Sequence, residues 1–399
     1  MPTIECELKT KRGFFKAAVP SGTSTGKYEA VALEAAKAKG NIEQLIAPAL
    51  LDKEITQQKE LDNILLALDK TNNKSKLGAN AILGVSMAGC RALAGEAGVA
   101  LYKEISRYRD IEISKFPLPC FNILEGGRHV YPVGDLFSCG AKNNLAIQEF
   151  MVAPQADSFQ ENMLLGQKVY EALKEILLAR FGQEGIMLGM EGGFAPALEK
   201  TEQALGFLQQ ALQDSGCCGR VMIGLDAAGS ELEQDGVYEI DGRSLKSKEL
   251  LAFYQDLIKQ YPIAFIEDPF SQDDIIAWKA INRQSPIANR QVFVVGDDLT
   301  TTNSERIKMA QEQGLCNGII IKPNQIGTVS ETIEAVRLAQ SFGWKVVVSH
   351  RSGETIDSFI ADLAVGLGAD YIKSGATSMP ERLAKYDRLM EIEKEIGNE

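Results

Sequence analysis

The sequence predicts an α/β barrel that is preceded by a smaller α+β domain. At 399 residues the chain is longer than one hydrophobic core usually organises, which indicates two domains. Beyond Gly182, short apolar runs alternate with amphipathic helical stretches, as in a parallel sheet that is covered on both faces. Six of these runs reach an ionisable residue, namely VMIGLD, IAFIED, VFVVGD, NGIIIK, KVVVSH and ADYIK. This pattern favours a barrel, because a barrel gathers its strand ends into one ring whereas a doubly wound sheet spreads them along an edge.

The first domain is predicted to combine a β-hairpin with helices. Near the N-terminus, ECELKT and FFKAAVP are typical of two strands joined by a Lys-Arg-Gly turn. From Tyr28 to Ile105 the apolar spacing is helical, with many small residues that suit close packing. Two prolines in SKFPLPCFN interrupt any helix there. We therefore expect an α+β domain over residues 1–115 and a catalytic barrel over residues 116–399.

The composition restricts the classes of partner. The formal net charge of -12 argues against nucleic acid or an anionic membrane, because both bind to basic surfaces. An anionic substrate is compatible with this charge, since a bound cation and local lysines reverse the charge of a single pocket. The seven cysteines include no CxxC pair, and neither a signal peptide nor a run of eighteen apolar residues is present. We expect a cytoplasmic protein with free thiols.

Three acidic residues end three successive predicted strands of the barrel. They are Asp226, Glu267 and Asp297, and barrel closure would bring them to one mouth. Hard oxygen ligands in such a cluster suit Mg²⁺. Alternatively, each carboxylate caps the following helix or pairs with a nearby base.

Two lysines, Lys322 and Lys373, end further strands. Lys322 closes the apolar run GIII, where burial and a neighbouring ammonium group would lower its pKa and let it act as a base. A salt bridge to the acidic ring is equally compatible with this pattern.

Two loops contain residues suited to covering a site or binding phosphate. The loop PSGTSTG, from Pro20 to Gly26, is rich in glycine and hydroxyl groups and fits either a lid or a plain connector. The tract HRSGET places His350, Arg351 and Ser352 after an apolar strand, and an arginine beside a hydroxyl matches phosphate geometry. Helix ends would satisfy the same histidine and arginine equally well.

A family resemblance extends along nearly the whole chain, from Pro2 to about Gly397. It rests on ten segments, which are AAVPSGTSTGKYEA, NLAIQEFM, EGGFAP, IGLDAA, FIEDPF, VGDDLT, IKPNQIGT, VSHRSGET, IKSGA and ERLAKY. In this order they resemble the enolase family. The resemblance implies an α+β N-terminal domain on a modified, TIM-like α/β barrel. It also implies the hydro-lyase reaction of glycolysis, which interconverts 2-phosphoglycerate and phosphoenolpyruvate.

The resemblance implies a site for two Mg²⁺ ions beside a catalytic base. Asp226, Glu267 and Asp297 resemble the ligands of the first ion, and Ser24 in the glycine-rich loop resembles a ligand of the second. Lys322 resembles the base. Because a proton α to a carboxylate is weakly acidic, the dianionic intermediate needs the cations as well as the lysine, as is general in the enolase superfamily.

The resemblance also implies an acid side and a set of substrate contacts. Glu191, together with Glu149, resembles the pair that assists the departure of hydroxide. Lys373 resembles the residue that holds the substrate carboxylate with the metals. The other implied contacts are Gln148, His350 and the two residues that resemble phosphate ligands, Arg351 and Ser352.

Four departures from the family accompany the resemblance. Compared with the family, the first strand, a segment after AVALEA and part of the C-terminal tail are missing, which affects a usual subunit contact; we still expect a homodimer or higher homo-oligomer. In GGRHVYPVGDLFSCGAKNN, about eleven residues separate His129 from the alanine that usually follows the family histidine. Either His129 keeps the substrate-binding position or Gly140 occupies it. Met190 stands where an aspartate usually precedes EGG.

The leading functional prediction is a magnesium-dependent hydro-lyase that acts on 2-phosphoglycerate. One alternative is a paralogue that acts on a related phospho- or phosphonocarboxylic acid, which the altered loop at His129 and Met190 would suit. The other alternative is a catalytically weak binding protein, which the missing first strand would suit. The retained cluster of like charges argues against a binding role, because burying such charges is costly.

Overall fold

The computed structural model describes residues 3–22, 25–108, 115–130, 143–284 and 291–397. Its strands are β1 (Ile4–Thr10), β2 (Gly13–Val19), β3 (Leu118–Glu125), β4 (Glu149–Pro154), β5 (Val221–Asp226), β6 (Glu233–Gln234), β7 (Val237–Ile240), β8 (Arg243–Leu245), β9 (Ile263–Glu267), β10 (Phe293–Gly296), β11 (Gly318–Ile321), β12 (Lys345–Ser349) and β13 (Tyr371–Lys373). Its α-helices are α1 (Ala35–Asn41), α2 (Ala47–Leu50), α3 (Gln58–Asp69), α4 (Ala79–Ala97), α5 (Leu101–Arg107), α6 (Phe159–Phe181), α7 (Thr201–Asp214), α8 (Gly229–Leu232), α9 (Ser247–Gln260), α10 (Ile275–Arg283), α11 (Ser304–Gln313), α12 (Pro323–Ile326), α13 (Val329–Ser341), α14 (Phe359–Gly366) and α15 (Pro380–Gly397).

The N-terminal domain is built from the hairpin β1–β2 and the helices α1 to α5. The hairpin is paired without a register shift, and Gly13 closes its turn at a φ of +142°, where glycine is favoured. Helix α4 packs across the hairpin through its small residues. A Cβ atom on Gly84 would lie only 2.4 Å from the Sγ atom of Cys6. The small residues of α4 therefore permit the close helix–hairpin contact that the sequence predicts.

Eight strands close into a barrel in the order β3, β4, β5, β9, β10, β11, β12 and β13, with β13 paired back to β3. All neighbouring pairs are parallel except those of β4, which runs antiparallel to β3 and to β5. The predicted barrel, and its departure from a regular TIM barrel, are confirmed. The six runs identified in the sequence form β5 and the strands β9 to β13.

The direction of β4 determines which of its residues reaches the mouth of the barrel. The parallel strands place their carboxyl ends at this mouth. Because β4 runs the opposite way, its first residue, Glu149, lies there too, opposite Asp226 of β5 and Glu125 of β3. The mouth therefore receives side chains from seven strand ends and one strand beginning.

The N-terminal domain contacts the barrel beside this mouth. Ser21 and Gly353 exchange two backbone hydrogen bonds with N-to-O distances of 2.9 and 2.8 Å. Arg91 of α4 donates to both carboxylate oxygens of Asp357 at 2.7 Å, and the backbone N–H of Ala18 donates to the same carboxylate at 2.9 Å. These contacts hold the loop after β12 against the hairpin. The predicted domain boundary at residues 115–116 falls between α5 and β3.

The described cysteines are all free thiols, and of these only Cys218 is exposed. Within the described ranges, no single helix combines the length and the apolar composition needed to cross a membrane. Helices α4 and α5 meet that criterion only when they are counted together as a bent pair, and both contribute residues to the hydrophobic core.

Candidate active site

A cleft at the mouth of the barrel collects most of the predicted site residues. Its cavity volume is about 40 Å³. Its lining consists of His129, Gln148, Glu149, Glu191, Asp226, Ala228, Glu231, Asp268, Asp297, Asp298, Lys322, Ser349, His350, Arg351, Ser352 and Lys373. Of the predicted site residues, Glu267 is not in the lining but contacts Lys373, and Ser24 lies outside the described residues.

Lys373 is surrounded by three buried carboxylates. Its Nζ atom lies 2.7 Å from Glu267, 3.1 Å from Glu149 and 3.2 Å from Asp226. One ammonium group cannot neutralise three carboxylates. Among the described residues, the Oε1 atom of Glu267 also has no hydrogen-bond partner. When its carboxyl groups are ionised, the cluster therefore has the excess negative charge expected of a cation site, and Glu267 offers an unused oxygen.

Asp226, Glu267 and Asp297 have the chemistry of a magnesium site. They end β5 and β9 and follow β10, which are neighbouring strands of the barrel. Burial and the charge of Asp226 raise the pKa of Glu267 well above its ordinary value. A bound divalent cation would reverse this effect by neutralising the cluster. Since carboxylate oxygens are the ligands that Mg²⁺ prefers, these residues fit the metal.

A second cluster of acidic residues lies beside the cluster around Lys373 and shares Asp297 with the proposed magnesium ligands. Ligand-type oxygens of Asp268, Asp297 and Asp298 lie within 4.8 Å of one another. The Asp268 carboxylate accepts the backbone N–H groups of Asp297 and Asp298 at 2.9 and 2.8 Å. Burial and the charge of Asp297 raise the pKa of Asp298 to about 7. Asp268 therefore positions the segment after β10 that carries Asp297.

Lys322 lines the cleft and forms an ion pair with Asp297. Burial alone would lower the pKa of Lys322, but the nearby carboxylates, Asp297 foremost, together outweigh it, so the pKa lies above its ordinary value. The expectation of a lowered pKa is therefore wrong for this set of charges, because the salt bridge that the sequence pattern also allowed is present. A cation bound to Asp297 would compete with Lys322 for the same carboxylate.

Glu191 and Glu149 lie next to the two histidines of the chain. The Oε2 atom of Glu191 is 3.2 Å from Nε2 of His350, and Asn122 donates to it at 3.1 Å. The ring nitrogens of His129 lie 3.7 Å from Glu149 and 3.7 Å from Glu191. His129 thus occupies the cleft. The competing alignment involves Gly140, which lies outside the described residues.

These two carboxyl groups differ in their tendency to ionise. Burial and the charge of Glu191 raise the pKa of Glu149 well above its ordinary value. Burial would also raise the pKa of Glu191, but its interactions with His350 and His129, together with the charge of Arg382, outweigh burial and hold this pKa well below the usual range. Opposite shifts of this kind in neighbouring carboxyl groups favour proton donation by one group and the charged form of the other.

Arg351 and Ser352 lie together at another side of the cleft. The Nη1 atom of Arg351 donates to Glu29 at 2.9 Å and to Asn324 at 3.0 Å. A Cβ atom on Gly22 would lie 2.0 Å from Nη2 of Arg351, so the glycine-rich loop passes directly against this guanidinium. An arginine and a hydroxyl group therefore share one corner of the cleft, and the loop borders this corner.

Besides lining residues such as Asp268 and Asp298, the sequence analysis missed three residues that contact the site. Glu125 is fully buried and accepts the backbone N–H groups of Glu191 and Gly193 at 3.1 and 2.7 Å. Glu29 pairs with Arg351, and Arg382 contacts the HRS tract. Sequence signals were available for all three, because Glu125 directly precedes GGRH, Glu29 belongs to the AAVPSGTSTGKYEA segment and Arg382 belongs to the ERLAKY segment.

The fold and the cleft define a class of protein: an α/β-barrel enzyme with an acidic site suited to a metal, two lysines that line the cleft and a cationic corner. Family comparison assigns the chain within this class. The protein-family model described as "Enolase, N-terminal domain" matches residues 1–105. The family model described as "Enolase, C-terminal TIM barrel domain" matches residues 113–399. The chain belongs to the enolase family. It is therefore an enolase-type enzyme of the hydro-lyase kind, from a family that typically uses Mg²⁺.

Proposed function

We propose that this protein interconverts 2-phosphoglycerate and phosphoenolpyruvate by loss and addition of water. The observation that best supports the proposal is the position of Lys322 relative to Glu149. Lys322 follows β11 and Glu149 begins β4. Around the barrel, three strands separate β11 from β4 in each direction, so the two residues lie on opposite sides of the mouth. A substrate in the cleft would therefore lie between a base and a pair of carboxyl groups.

The two sides of the cleft suit the two halves of an elimination. Lys322, in its neutral amine form, would accept the proton α to the substrate carboxylate, and the electron pair of the broken C–H bond would become the new double bond. On the opposite side, Glu149 would donate a proton to the departing hydroxyl group, which leaves as water. Glu191, held as an anion beside His350, would orient the acid and the hydroxyl group.

The remaining charged groups suit a phosphorylated carboxylic acid. Arg351 and Ser352 would bind the phosphate, since the guanidinium fork matches its oxygens. Lys373 would hold the substrate carboxylate. Mg²⁺ bound at Asp226, Glu267 and Asp297, the last of which contacts Lys322, would stabilise the negative charge that develops on that carboxylate.

A second candidate, a related phospho- or phosphonocarboxylic acid, is favoured by one ion pair at the rim of the cleft. Arg128 lies 2.5 Å from Glu231, which lines the cleft. Arg128 directly precedes His129, so the pair ties the loop that carries this histidine to the segment after β5. Loops on this face of a barrel commonly set substrate choice. Turnover of an analogue acid in preference to 2-phosphoglycerate would support this candidate.

The proposed function is tested by an ultraviolet assay for phosphoenolpyruvate formed from 2-phosphoglycerate, with Mg²⁺ or with a chelator. We expect activity that requires Mg²⁺ and is lost in Lys322→Ala. The matched control is Lys308→Ala, because Lys308 is exposed on α11 and pairs only with Glu305 among the ion pairs described. A folded sample that binds Mg²⁺ without forming phosphoenolpyruvate would overturn the proposal.

A homo-oligomeric state and a cytoplasmic location stay predictions from the sequence. Size-exclusion chromatography with light scattering tests the first. A monomer at all concentrations would contradict it.

A further inference from the structure

Arg382, in the first turn of α15, contacts two of the segments that form the cleft. Its side chain is buried, with 1% of its surface exposed. Its Nη1 atom donates to the backbone oxygen of Arg351 at 2.7 Å, and its Nη2 atom donates to that of Ser352 at 2.7 Å. Nη2 also donates to the backbone oxygen of Met190 at 3.0 Å. One guanidinium group therefore connects the tract after β12 with the turn that carries Glu191.

The same guanidinium group contacts the ring of His350. Its Nη1 atom is hydrogen-bonded to Nδ1 of His350. A guanidinium group has only donor hydrogens, so Nδ1 of the histidine must be the acceptor. An imidazole that accepts at Nδ1 and is neutral carries its hydrogen on Nε2. Burial and the positive charge of Arg382 both favour the neutral ring, and they lower the pKa of His350 to about 3.

The other ring nitrogen of His350 faces the acid side of the cleft. Nε2 lies 3.2 Å from Oε2 of Glu191 and makes no regular hydrogen bond within the described part of the chain. In the tautomer that Arg382 requires, the hydrogen is on the ring nitrogen that lies nearer to an anionic carboxylate. The opposite tautomer would place a lone pair against that carboxylate and a hydrogen against a guanidinium donor, which is unfavourable at both nitrogens.

We propose that Arg382 is a positioning residue that holds His350 in the Nε2–H tautomer and thereby keeps the His350–Glu191 contact in its working geometry. The tautomer follows from the hydrogen-bond donors alone. Its consequence for turnover rests on the proposed function. A lysine at this position would supply a charge but not the planar fork that reaches a ring nitrogen and three carbonyl oxygens at once.

The tautomer is measured directly by NMR of protein labelled with nitrogen-15 at histidine, because the chain contains two histidines only. The variant His129→Gln assigns the remaining signals to His350. We expect the wild-type protein to show His350 protonated at Nε2 and bare at Nδ1 throughout the neutral pH range. A wild-type His350 that is protonated at Nδ1, or at both nitrogens, would overturn the proposal.

The variants Arg382→Lys and Arg382→Met test the cause of the tautomer. We expect the pure Nε2–H form to give way to a mixed population of tautomers in both, because only the contact with Glu191 then favours Nε2–H, and a loss in kcat of about 10- to 100-fold with a smaller change in KM. Arg388→Lys is the control, since Arg388 lies on the same helix and donates to Asp362 instead. Retention of the pure Nε2–H form in folded Arg382→Met would overturn the proposal.

The experiment separates this inference from the proposed function. The NMR measurement needs no turnover, so the predicted tautomer in a protein that does not act on 2-phosphoglycerate would leave the tautomer inference in place and remove the function. If both Arg382 variants fail to fold, the wild-type spectrum still decides which ring nitrogen carries the hydrogen.

Discussion

Glu29 and Arg351 form a buried ion pair, with 2.9 Å between Oε2 of Glu29 and Nη1 of Arg351. Glu29 follows the glycine-rich loop, and Arg351 follows β12, so the pair connects the two domains at the corner proposed to bind phosphate. In this arrangement the carboxylate of Glu29 occupies part of the guanidinium fork. A bound phosphate must share Arg351 with Glu29 or displace it.

We predict that Glu29→Gln destabilises the ligand-free protein and strengthens its response to phosphate. The substitution removes the carboxylate charge paired with the buried Arg351 cation, which costs about 3 to 5 kcal/mol in the free energy of unfolding. Inorganic phosphate restores an anion, so it should raise the melting temperature of the variant more than that of the wild type. The control is Glu305→Gln, which removes an exposed partner of Lys308. An equal phosphate response in wild type and Glu29→Gln would contradict the proposed phosphate corner.

Replacement of Lys373 by methionine should destabilise the carboxylate cluster. Glu149, Asp226 and Glu267 would lose the ammonium group that they share, and we expect a loss of about 3 to 5 kcal/mol. Denaturant unfolding with a chelator present measures this loss. Mg²⁺ should recover part of it, because the cation neutralises the same carboxylates. Lys345→Met, which removes a half-exposed partner of Asp370, should cost much less. Comparable losses of unfolding free energy in the two variants would show that repulsion between the three carboxylates does not destabilise the fold.

Mg²⁺ should raise the melting temperature of the wild-type protein through the proposed ligands. At a free concentration of about 100 times the Kd, a ligand that binds only the folded state adds about 2.7 kcal/mol to the free energy of unfolding. We expect Glu267→Gln to remove most of this effect, and Asp256→Asn, an exposed change on α9, to leave it intact. Differential scanning calorimetry with and without Mg²⁺ provides the measurement. A Mg²⁺ effect that survives Glu267→Gln would place the metal elsewhere.

The ends of the parallel strands could be predicted from the sequence because their apolar runs stop at the charged residue. This logic located Asp226 and Lys373 at the mouth of the barrel. It could not place Glu149 there, because Glu149 reaches the mouth only through the antiparallel direction of β4. The apolar pattern of a strand does not reveal its direction in the sheet. The family resemblance supplied that residue instead.

The sequence analysis could not predict contacts between distant segments, and the reason is different. Glu29 and Arg382 act through partners on other elements, and nothing in their local sequence identifies those partners. The expectation of a lowered pKa for Lys322 was also wrong, because burial and the charge of Asp297 act in opposite directions and their balance depends on distance. Residue type and spacing therefore predicted the composition of the site better than its electrostatics.

The low pKa of His350 predicts that acid weakens the fold through this residue. Burial and Arg382 lower the pKa of the folded-state ring from 6.5 to about 3, against the charge of Glu191, which acts in the opposite direction. Between these values the unfolded chain binds a proton that the folded chain does not, so the stability of the fold falls as the pH drops from about 6.5 towards 3. For this group alone, lowering the pH from about 7.5 to about 5 should cost about 2 kcal/mol.

The measurement is denaturant unfolding of wild type and His350→Asn across this pH range. Asparagine does not titrate there, so the wild type should lose about 2 kcal/mol more than the variant on acidification. His129, whose pKa is also lowered by burial, is present in both proteins, and its contribution cancels in the comparison. Parallel pH profiles for the two proteins would mean that His350 is not held neutral, and the charge distribution around Glu191 would then differ from the one described above.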